Sequence, residues 1–196
     1  ARDALNGVEL TWGNVGVGTG CSVGKVKGMG YAMKSGVGTF AMEVDGLKIG
    51  AIVAVNALGD IYEGTQEIAG VLAQDKSLSN CMDELMKMMN PNAYSANTTI
   101  GIVLTNAKLN KTEMNKVAQV AINGYARSIY PVNTSADGDS LYAMSVGDVP
   151  ANLDVVCALS STVVEKAILN AVKQCEGAYD LPSYKDIQEL MSKKEG

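Results

Sequence analysis

The stretch Val37-Gly-Thr-Phe-Ala-Met-Glu-Val-Asp-Gly-Leu-Lys-Ile-Gly-Ala-Ile-Val-Ala-Val55 carries the clearest structural signal in the chain. Two strand-like runs, Val37 to Val44 and Leu47 to Val55, flank the dipeptide Asp45-Gly46. A two-residue type I′ turn favours this dipeptide, because both central positions of the turn need a positive φ. We therefore predict a β-hairpin here.

Strand and helix patterns alternate through the rest of the chain. Asn110 with Glu113 three residues later resembles a capping box, which opens a helix whose apolar stripe runs to Ile129. Thr98 to Thr105 is rich in β-branched residues and reads as a short buried strand. The other predicted elements are a helix from about Ser77 to Met89, a strand near Leu141 to Val146, a helix from about Leu153 to Val172, and a short amphipathic helix from Tyr184 to Lys194. This alternation predicts a layered α/β fold.

Length and composition limit the class of protein. A chain of 196 residues with 47% apolar residues fits a single globular domain, residues 1–196. The net charge of −5 and the scattered lysines give no basic surface for nucleic acid. The longest apolar run, Ile49 to Leu58, is shorter than the roughly 20 residues of a membrane-spanning helix. We expect a soluble protein that binds neither nucleic acid nor membrane.

The chain contains no histidine and four cysteines. The absence of histidine removes Ser-His-Asp and Cys-His mechanisms and most zinc sites supplied by this chain. Cys21, Cys81, Cys157 and Cys175 form no CxxC pair, so they read as buried thiols of a reducing compartment, and we expect a cytoplasmic protein. No metal or cofactor is predicted, and any hydrolytic chemistry needs a base other than histidine.

Two motifs resemble ligand loops but lack required parts. Gly20-Cys-Ser-Val-Gly24-Lys25 has three residues between its glycines where a phosphate-binding loop has four, and Val26 replaces the required hydroxyl. Asp137-Gly138-Asp139 lacks the remaining ligands of a calcium-binding EF-hand loop. We interpret the glycines as shaping a loop around a pocket, and the two aspartates as a turn or a charge pair.

Five segments together resemble a known family of self-processing aminopeptidases and amidases. The family includes the D-aminopeptidase/esterases, the β-peptidyl aminopeptidases and the nylon-oligomer hydrolases, all N-terminal-nucleophile enzymes. The segments occur in the order of the family and the resemblance is weakest after Glu176. They are Gly13-Asn-Val-Gly-Val-Gly-Thr-Gly20, Ala32-Met-Lys-Ser-Gly-Val-Gly38, Ala51-Ile-Val-Ala-Val-Asn-Ala-Leu-Gly-Asp60, Asn97-Thr-Thr-Ile-Gly101 and Asp137-Gly-Asp139.

The resemblance implies a fold, a maturation step and partners. The fold would be a four-layer αββα sandwich, as in the D-aminopeptidases and ornithine acetyltransferases, with the family's N-terminal region missing from this chain. The precursor would cut itself between Asn97 and Thr98 into two associated pieces, residues 1–97 and 98–196. The implied partners are a small amide or short peptide substrate, the missing N-terminal region, and further copies in a homo-oligomer.

The resemblance also implies the catalytic residues. Thr98 resembles the nucleophile and new N-terminus, Lys34 and Asn56 its polar neighbours, and Asp137 and Asp139 the carboxylates that orient it. Cleavage would free the α-amine of Thr98, whose ordinary pKa of about 7.7–8.0 suits a base much better than the lysine value of about 10.4. Thr98 would thus carry its own base, and its acyl-enzyme would be hydrolysed by water.

Several roles remain open at this point. Lys34 could stabilise an alkoxide as an ammonium or share in proton transfer if burial lowers its pKa. Asn56 could donate to an oxyanion or make a structural hydrogen bond. Acyl transfer to an amine, as in ornithine acetyltransferases, is the second enzymatic hypothesis, and a non-catalytic homologue is the third. Asn-Thr-Thr resembles the nylon-oligomer hydrolase branch, whereas the aminopeptidases often have serine as nucleophile.

Overall fold

The computed structural model describes residues 6–7, 9–88 and 97–195. In this part of the chain there are nine strands and five α-helices. The strands are β1 (Ser22–Val23), β2 (Met33–Lys34), β3 (Val37–Val44), β4 (Leu47–Ala54), β5 (Asp60–Glu63), β6 (Gln66–Ala69), β7 (Ile100–Ala107), β8 (Ile129–Tyr130) and β9 (Ser140–Val149). The helices are α1 (Cys81–Lys87), α2 (Lys111–Ala121), α3 (Asn123–Ser128), α4 (Leu153–Lys173) and α5 (Tyr184–Glu195).

The predicted hairpin is confirmed as β3 and β4. Val44 pairs with Leu47 across the turn, and Asp45 and Gly46 have φ angles of 47° and 80°. Both central residues are therefore left-handed, as a type I′ turn requires. The tight turn fixes the register of the whole hairpin, and with it the face on which each side chain lies.

The hairpin forms one half of a four-stranded sheet with the order β3-β4-β7-β9. Strand β7 runs antiparallel to β4, and β9 runs parallel to β7. The parallel pair needs a crossover, and helices α2 and α3 lie in the connection between these strands. A three-stranded sheet, β6-β5-β8, and the short pair β1-β2 complete the strand pairing in the described residues.

One face of the four-stranded sheet carries the hydrophobic core. Val53 on β4 and Val103 on β7 are fully buried there, together with Val164 and Ile168 of helix α4. Helix α4 approaches β3 so closely that a Cβ atom on Gly38 would collide with the backbone of Ala167. The core thus lies between one sheet and one layer of helices, which agrees with the predicted layered α/β class.

The starts of two predicted elements differ from the structure. The helix predicted from Ser77 begins at Cys81, because the Asn80 side chain accepts the backbone N–H of Asp83 and caps it there; Met89, its predicted end, lies outside the described residues. The strand predicted from Thr98 begins at Ile100. Neither change moves a predicted site residue to another part of the fold.

The apolar stripe predicted as one helix to Ile129 is divided between α2 and α3. The predicted capping box at Asn110 is confirmed, with Glu113 accepting the Asn110 N–H. Helix α2 ends at Ala121, and α3 begins at Asn123 after the single residue Ile122. Gly124 packs so tightly on α4 that a Cβ there would lie 2.7 Å from the Ser161 carbonyl oxygen, and Ile129 falls in β8.

The second face of the four-stranded sheet is open. Leu104 of β7 lies opposite Met144 of β9 on this face, and a groove of 680 Å³ runs past Leu104 and Val146. Tyr142 and Val146 are 61% and 65% exposed. Such a continuous apolar face is typical of an interaction surface rather than of scattered exposed side chains.

The remaining sequence predictions concern the cysteines and membrane helices. All four cysteines are buried free thiols, as predicted. Helix α4 alone, among the described residues, has the length and hydropathy of a membrane-spanning helix. Of its most apolar 18-residue window, 61% is buried within the protein, where it packs on β3 and β4.

Candidate active site

Two strand ladders place Thr98 between Asn56 and Gly138. In the antiparallel pair of β4 and β7, Ala54 lies opposite Ile100, so the same register continued by two residues sets Asn56 opposite Thr98. In the parallel pair, Ile100 lies opposite Ser140, and an isolated bridge joins Asn97 to Asp137 in the same register. Thr98 therefore lies just before strand β7, between the end of β4 on one side and the start of β9 on the other.

The hydrogen bonds around Thr98 agree with this register. The Thr98 N–H donates to the main-chain oxygen of Asn56 at 3.0 Å. The Thr98 hydroxyl donates to the Asn97 carbonyl oxygen at 2.6 Å, and the Gly138 N–H donates to the same oxygen at 2.7 Å. The peptide bond between Asn97 and Thr98 is thus held at its carbonyl oxygen and at its N–H.

The side-chain amide of Asn56 has a fixed orientation. Its Oδ1 accepts hydrogen bonds from the Lys25 ammonium at 2.6 Å and from the Ser22 N–H at 3.3 Å. Because both donors are on the oxygen, the Nδ2 group is the part of the amide that remains as a donor. An oriented amide donor near Thr98 fits the oxyanion role considered for Asn56. The two hydrogen bonds on its oxygen fit the other role, that of a structural hydrogen-bonding group.

Lys25 is the lysine at this site, although the sequence predicts no catalytic role for it. Its backbone N–H donates to the Leu58 carbonyl, which brings the side chain back towards Asn56. The Lys25 side chain is buried, and burial lowers its pKa to about 8, although nearby Asp137 and Asp139 favour the charged form. A lysine with this pKa exchanges a proton close to neutral pH.

Lys34 lies in a different environment from the predicted one. Its ammonium donates to three main-chain carbonyls, of Gly18 at 3.0 Å, Cys21 at 2.8 Å and Ser35 at 2.5 Å. The residue is 1% exposed, and burial lowers the pKa of its ammonium. Its three donors are used in joining the glycine-rich loop to strand β2, and none of these bonds reaches Thr98.

The two predicted carboxylates lie beside the Asn97-Thr98 segment. Asp139 accepts the Thr99 N–H at 2.7 Å, and burial raises the pKa of its carboxyl, which nearby Asp137 raises further. Asp137 accepts the N–H and the hydroxyl of Thr134 through Oδ2. Its other oxygen, Oδ1, is buried and has no hydrogen-bond partner within the described part of the chain.

The structure therefore brings Thr98, Asn56, Asp137 and Asp139 together, and adds Lys25 to them. The sequence signal for Lys25 is the Gly24-Lys25 segment, which resembles an incomplete phosphate-binding loop. In residues 6–7, 9–88 and 97–195, no cluster of three or more His, Cys, Asp or Glu residues is arranged to hold a metal ion. The arrangement offers a hydroxyl beside a carbonyl, an amide donor, a lysine of lowered pKa and two carboxylates.

Comparison with known proteins identifies the family of the chain. The family model described as peptidase family S58 matches residues 1–180. The chain belongs to peptidase family S58. An uncharacterized aminopeptidase of Mycobacterium leprae is 31% identical over 92% of this chain and 54% of its own length. A 6-aminohexanoate-oligomer endohydrolase of a Kocuria species is 25% identical over 84% of this chain and 52% of its own length.

Solved structures of similar fold include two aminopeptidases. An L-aminopeptidase D-Ala-esterase/amidase from Ochrobactrum anthropi, described as a variant of the N-terminal-nucleophile hydrolase fold, aligns with a TM-score of 0.59 at 23% identity, over 97% of this chain and 55% of that one. A Burkholderia β-aminopeptidase aligns with a TM-score of 0.58 at 19% identity, over 94% and 54%. The predicted fold class is confirmed, and this S58 chain spans about half the length of these relatives.

Proposed function

We propose that this S58 chain is part of an amide hydrolase that cuts itself between Asn97 and Thr98 and then uses Thr98 as its nucleophile. The observation that carries the proposal is the position of the Thr98 hydroxyl, 2.6 Å from the carbonyl oxygen of the preceding residue. The hydroxyl is thus beside the carbonyl group that self-cleavage requires it to attack. The names of the relatives, which include aminopeptidases and an amide-oligomer hydrolase, support the reaction class.

Self-cleavage would convert the Thr98 amide nitrogen into a primary amine. The amine has an ordinary pKa near 7.7–8.0, so a substantial fraction is neutral at neutral pH and able to take the hydroxyl proton. In the uncut chain this nitrogen donates to the Asn56 carbonyl oxygen, which would keep the free amine in place. The buried, unpartnered Oδ1 of Asp137 is a further acceptor close to this segment.

Turnover would then proceed through an acyl-enzyme. The Thr98 oxygen attacks the substrate carbonyl, the α-amine accepts the proton, and the amine of the substrate leaves after receiving that proton. Water then hydrolyses the ester, which releases the acid and restores the hydroxyl. The Nδ2 group of Asn56, oriented by Lys25, is the proposed donor to the oxyanion in both steps.

Mass spectrometry and N-terminal sequencing of the full-length parent protein test the proposal. We expect a fragment that begins Thr98-Thr99-Ile100, together with hydrolysis of small amides such as amino-acid p-nitroanilides. Thr98→Ala should abolish both the cut and the hydrolysis, because it removes the nucleophile. Thr98→Ser is the matched control, which keeps the hydroxyl and should retain both at a reduced rate. An uncut wild-type protein without amidase activity would favour a non-catalytic homologue, and hydrolysis by Thr98→Ala would exclude Thr98 as the nucleophile.

A further inference from the structure

The carbonyl oxygen of Asn97 accepts two hydrogen bonds in the uncut chain. One comes from the Thr98 hydroxyl at 2.6 Å, and the other comes from the Gly138 N–H at 2.7 Å. Asn97 is 1% exposed and Thr98 is half-buried, so the carbonyl oxygen is largely shielded from bulk water. A donor aimed at a buried carbonyl oxygen gains importance when negative charge develops on that oxygen.

Only one of these two bonds can persist through self-cleavage. As the Thr98 oxygen attacks the Asn97 carbonyl carbon, its hydrogen must leave, and the bond from the hydroxyl to the carbonyl oxygen is lost. The Gly138 N–H is a main-chain group fixed by the parallel pairing of residues 97 and 137, so it stays in position. It is therefore the donor that remains at the oxygen when that oxygen becomes an oxyanion.

The residue at position 138 must also be small. A Cβ atom at Gly138 would lie 2.7 Å from the Thr98 hydroxyl oxygen, which is closer than real Cβ contacts. Glycine thus lets the main-chain N–H approach the carbonyl oxygen of residue 97 without pressing on the nucleophile of residue 98.

We propose that the Gly138 main-chain N–H is the oxyanion donor of self-cleavage, separate from the Asn56 amide proposed for substrate turnover. The inference rests on the proposed function. A bond forms between Thr98 Oγ and the Asn97 carbonyl carbon, and the Gly138 N–H stabilises the resulting oxyanion. The carbon–nitrogen bond then breaks, and the hydroxyl proton ends on the departing Thr98 nitrogen. Water hydrolyses the ester to the Asn97 carboxylate and the free Thr98 hydroxyl.

The direct test removes this single N–H from the full-length parent protein. Incorporation of glycolic acid in place of Gly138 exchanges the peptide N–H for an ester oxygen and adds no side chain. We expect the appearance of the fragment that begins at Thr98 to slow by about 10²- to 10³-fold, the effect of losing one oxyanion donor. The same replacement at Gly30, an exposed position, is the matched control and should cut at the wild-type rate.

The outcomes separate this inference from the proposed function. Both precursors are compared at a temperature at which circular dichroism shows each to be folded. If the glycolic acid precursor does not fold, infrared spectroscopy of the Thr98→Ala precursor labelled with ¹³C=¹⁸O at Asn97 is the second measurement, and a carbonyl stretch at the frequency of an amide without a hydrogen bond would overturn the assignment. If the wild-type precursor cuts and the precursor without the Gly138 N–H cuts at the same rate, the Gly138 assignment is overturned and the proposed function stands. A wild-type precursor that never cuts would overturn the proposed function, and the assignment with it.

Discussion

At the residue scale, the two buried lysines, Lys25 and Lys34, have different tasks. The Lys25 ammonium holds the Asn56 amide, whereas the Lys34 ammonium holds three main-chain carbonyls. In the parent protein, we expect Lys25→Met to lower kcat for amide hydrolysis by about 100-fold, because the Asn56 amide loses the ammonium that orients it and one oxyanion donor is worth about 10²- to 10³-fold. The free energy of unfolding should change by less than about 1 kcal/mol, because a buried charge is replaced by an apolar side chain of similar length.

Lys34→Met is the matched comparison for this prediction. Its loss removes a charged donor from three buried carbonyls. Those of Gly18 and Cys21 each keep one main-chain N–H, so the loss should cost about 2 kcal/mol of stability. Urea unfolding and amidase kinetics on both variants measure the two effects. The division of tasks would be contradicted if Lys34→Met kept wild-type stability while losing activity, or if Lys25→Met kept wild-type kcat.

These two lysines also show what the sequence could and could not predict at this scale. Thr98, Asn56 and the two aspartates were predicted from motifs in family order, and strand register alone then brings them together. The choice between Lys25 and Lys34 depends on the path of a loop whose backbone runs from Gly24, at φ 69°, past Gly59. Local residue patterns carry no information on such a path, so they could not show that Lys25 contacts Asn56, and a catalytic role for Lys34 stays a prediction.

At the element scale, hydrogen bonds from side chains attach helix α1 to the β5-β6 hairpin. Asp60, fully buried on β5, accepts the N–H of Cys81 at the start of α1 and the N–H of Val71. Asn80, the cap of α1, donates to the Tyr62 hydroxyl, which also bonds to Glu67 on β6. Burial raises the pKa of Asp60 to about 7, and burial together with nearby Asp60 raises that of Glu67 to about 8.

The raised pKa values predict a pH-dependent stability for this junction. A carboxyl whose folded pKa exceeds its unfolded value of about 4.3 binds more protons in the folded state, so stability falls as pH rises from about 4.5 to about 8. Glu67→Gln removes one of the two charges and should raise the Tm at pH 8 while leaving it nearly unchanged at pH 5. Melting curves of the Thr98→Ala precursor from pH 5 to pH 8.5 measure this, with exposed Glu43→Gln as the control. Parallel curves for wild type and Glu67→Gln would contradict the assignment.

Elements fixed by local sequence were easier to predict than elements fixed by packing. The β3-β4 turn needs only Asp45-Gly46, and the α2 cap needs only Asn110 and Glu113, so both were predicted correctly. The break between α2 and α3 follows from the close approach of Gly124 to helix α4, whose residues are about 40 positions later in the chain. A contact between residues so far apart in the chain does not change the apolar periodicity of either segment, so the sequence pattern does not predict it.

At the scale of the whole molecule, the main feature is the open face of the four-stranded sheet. One side of this sheet carries helices and a buried core, while the other presents apolar side chains to solvent. The residues of this face, which we call the open face, include Ile52, Ile102, Leu104, Tyr142, Met144 and Val146. The chain spans about half the length of its relatives, and the αββα sandwich expected from the family resemblance would place a second sheet against this face. We propose that the N-terminal region of the parent protein covers the open face.

This proposal makes a prediction about assembly of the parent protein. When residues 1–196 are co-expressed with the separately encoded N-terminal region, the two chains should co-purify, because the interface buries a continuous apolar surface. The double variant Ile102→Lys, Met144→Lys places two charges on the open face and should abolish co-purification. Gln119→Lys, exposed on helix α2, should leave it intact. Retention of the partner by the double variant would show that the N-terminal region docks elsewhere, and that a different surface must complete the sandwich.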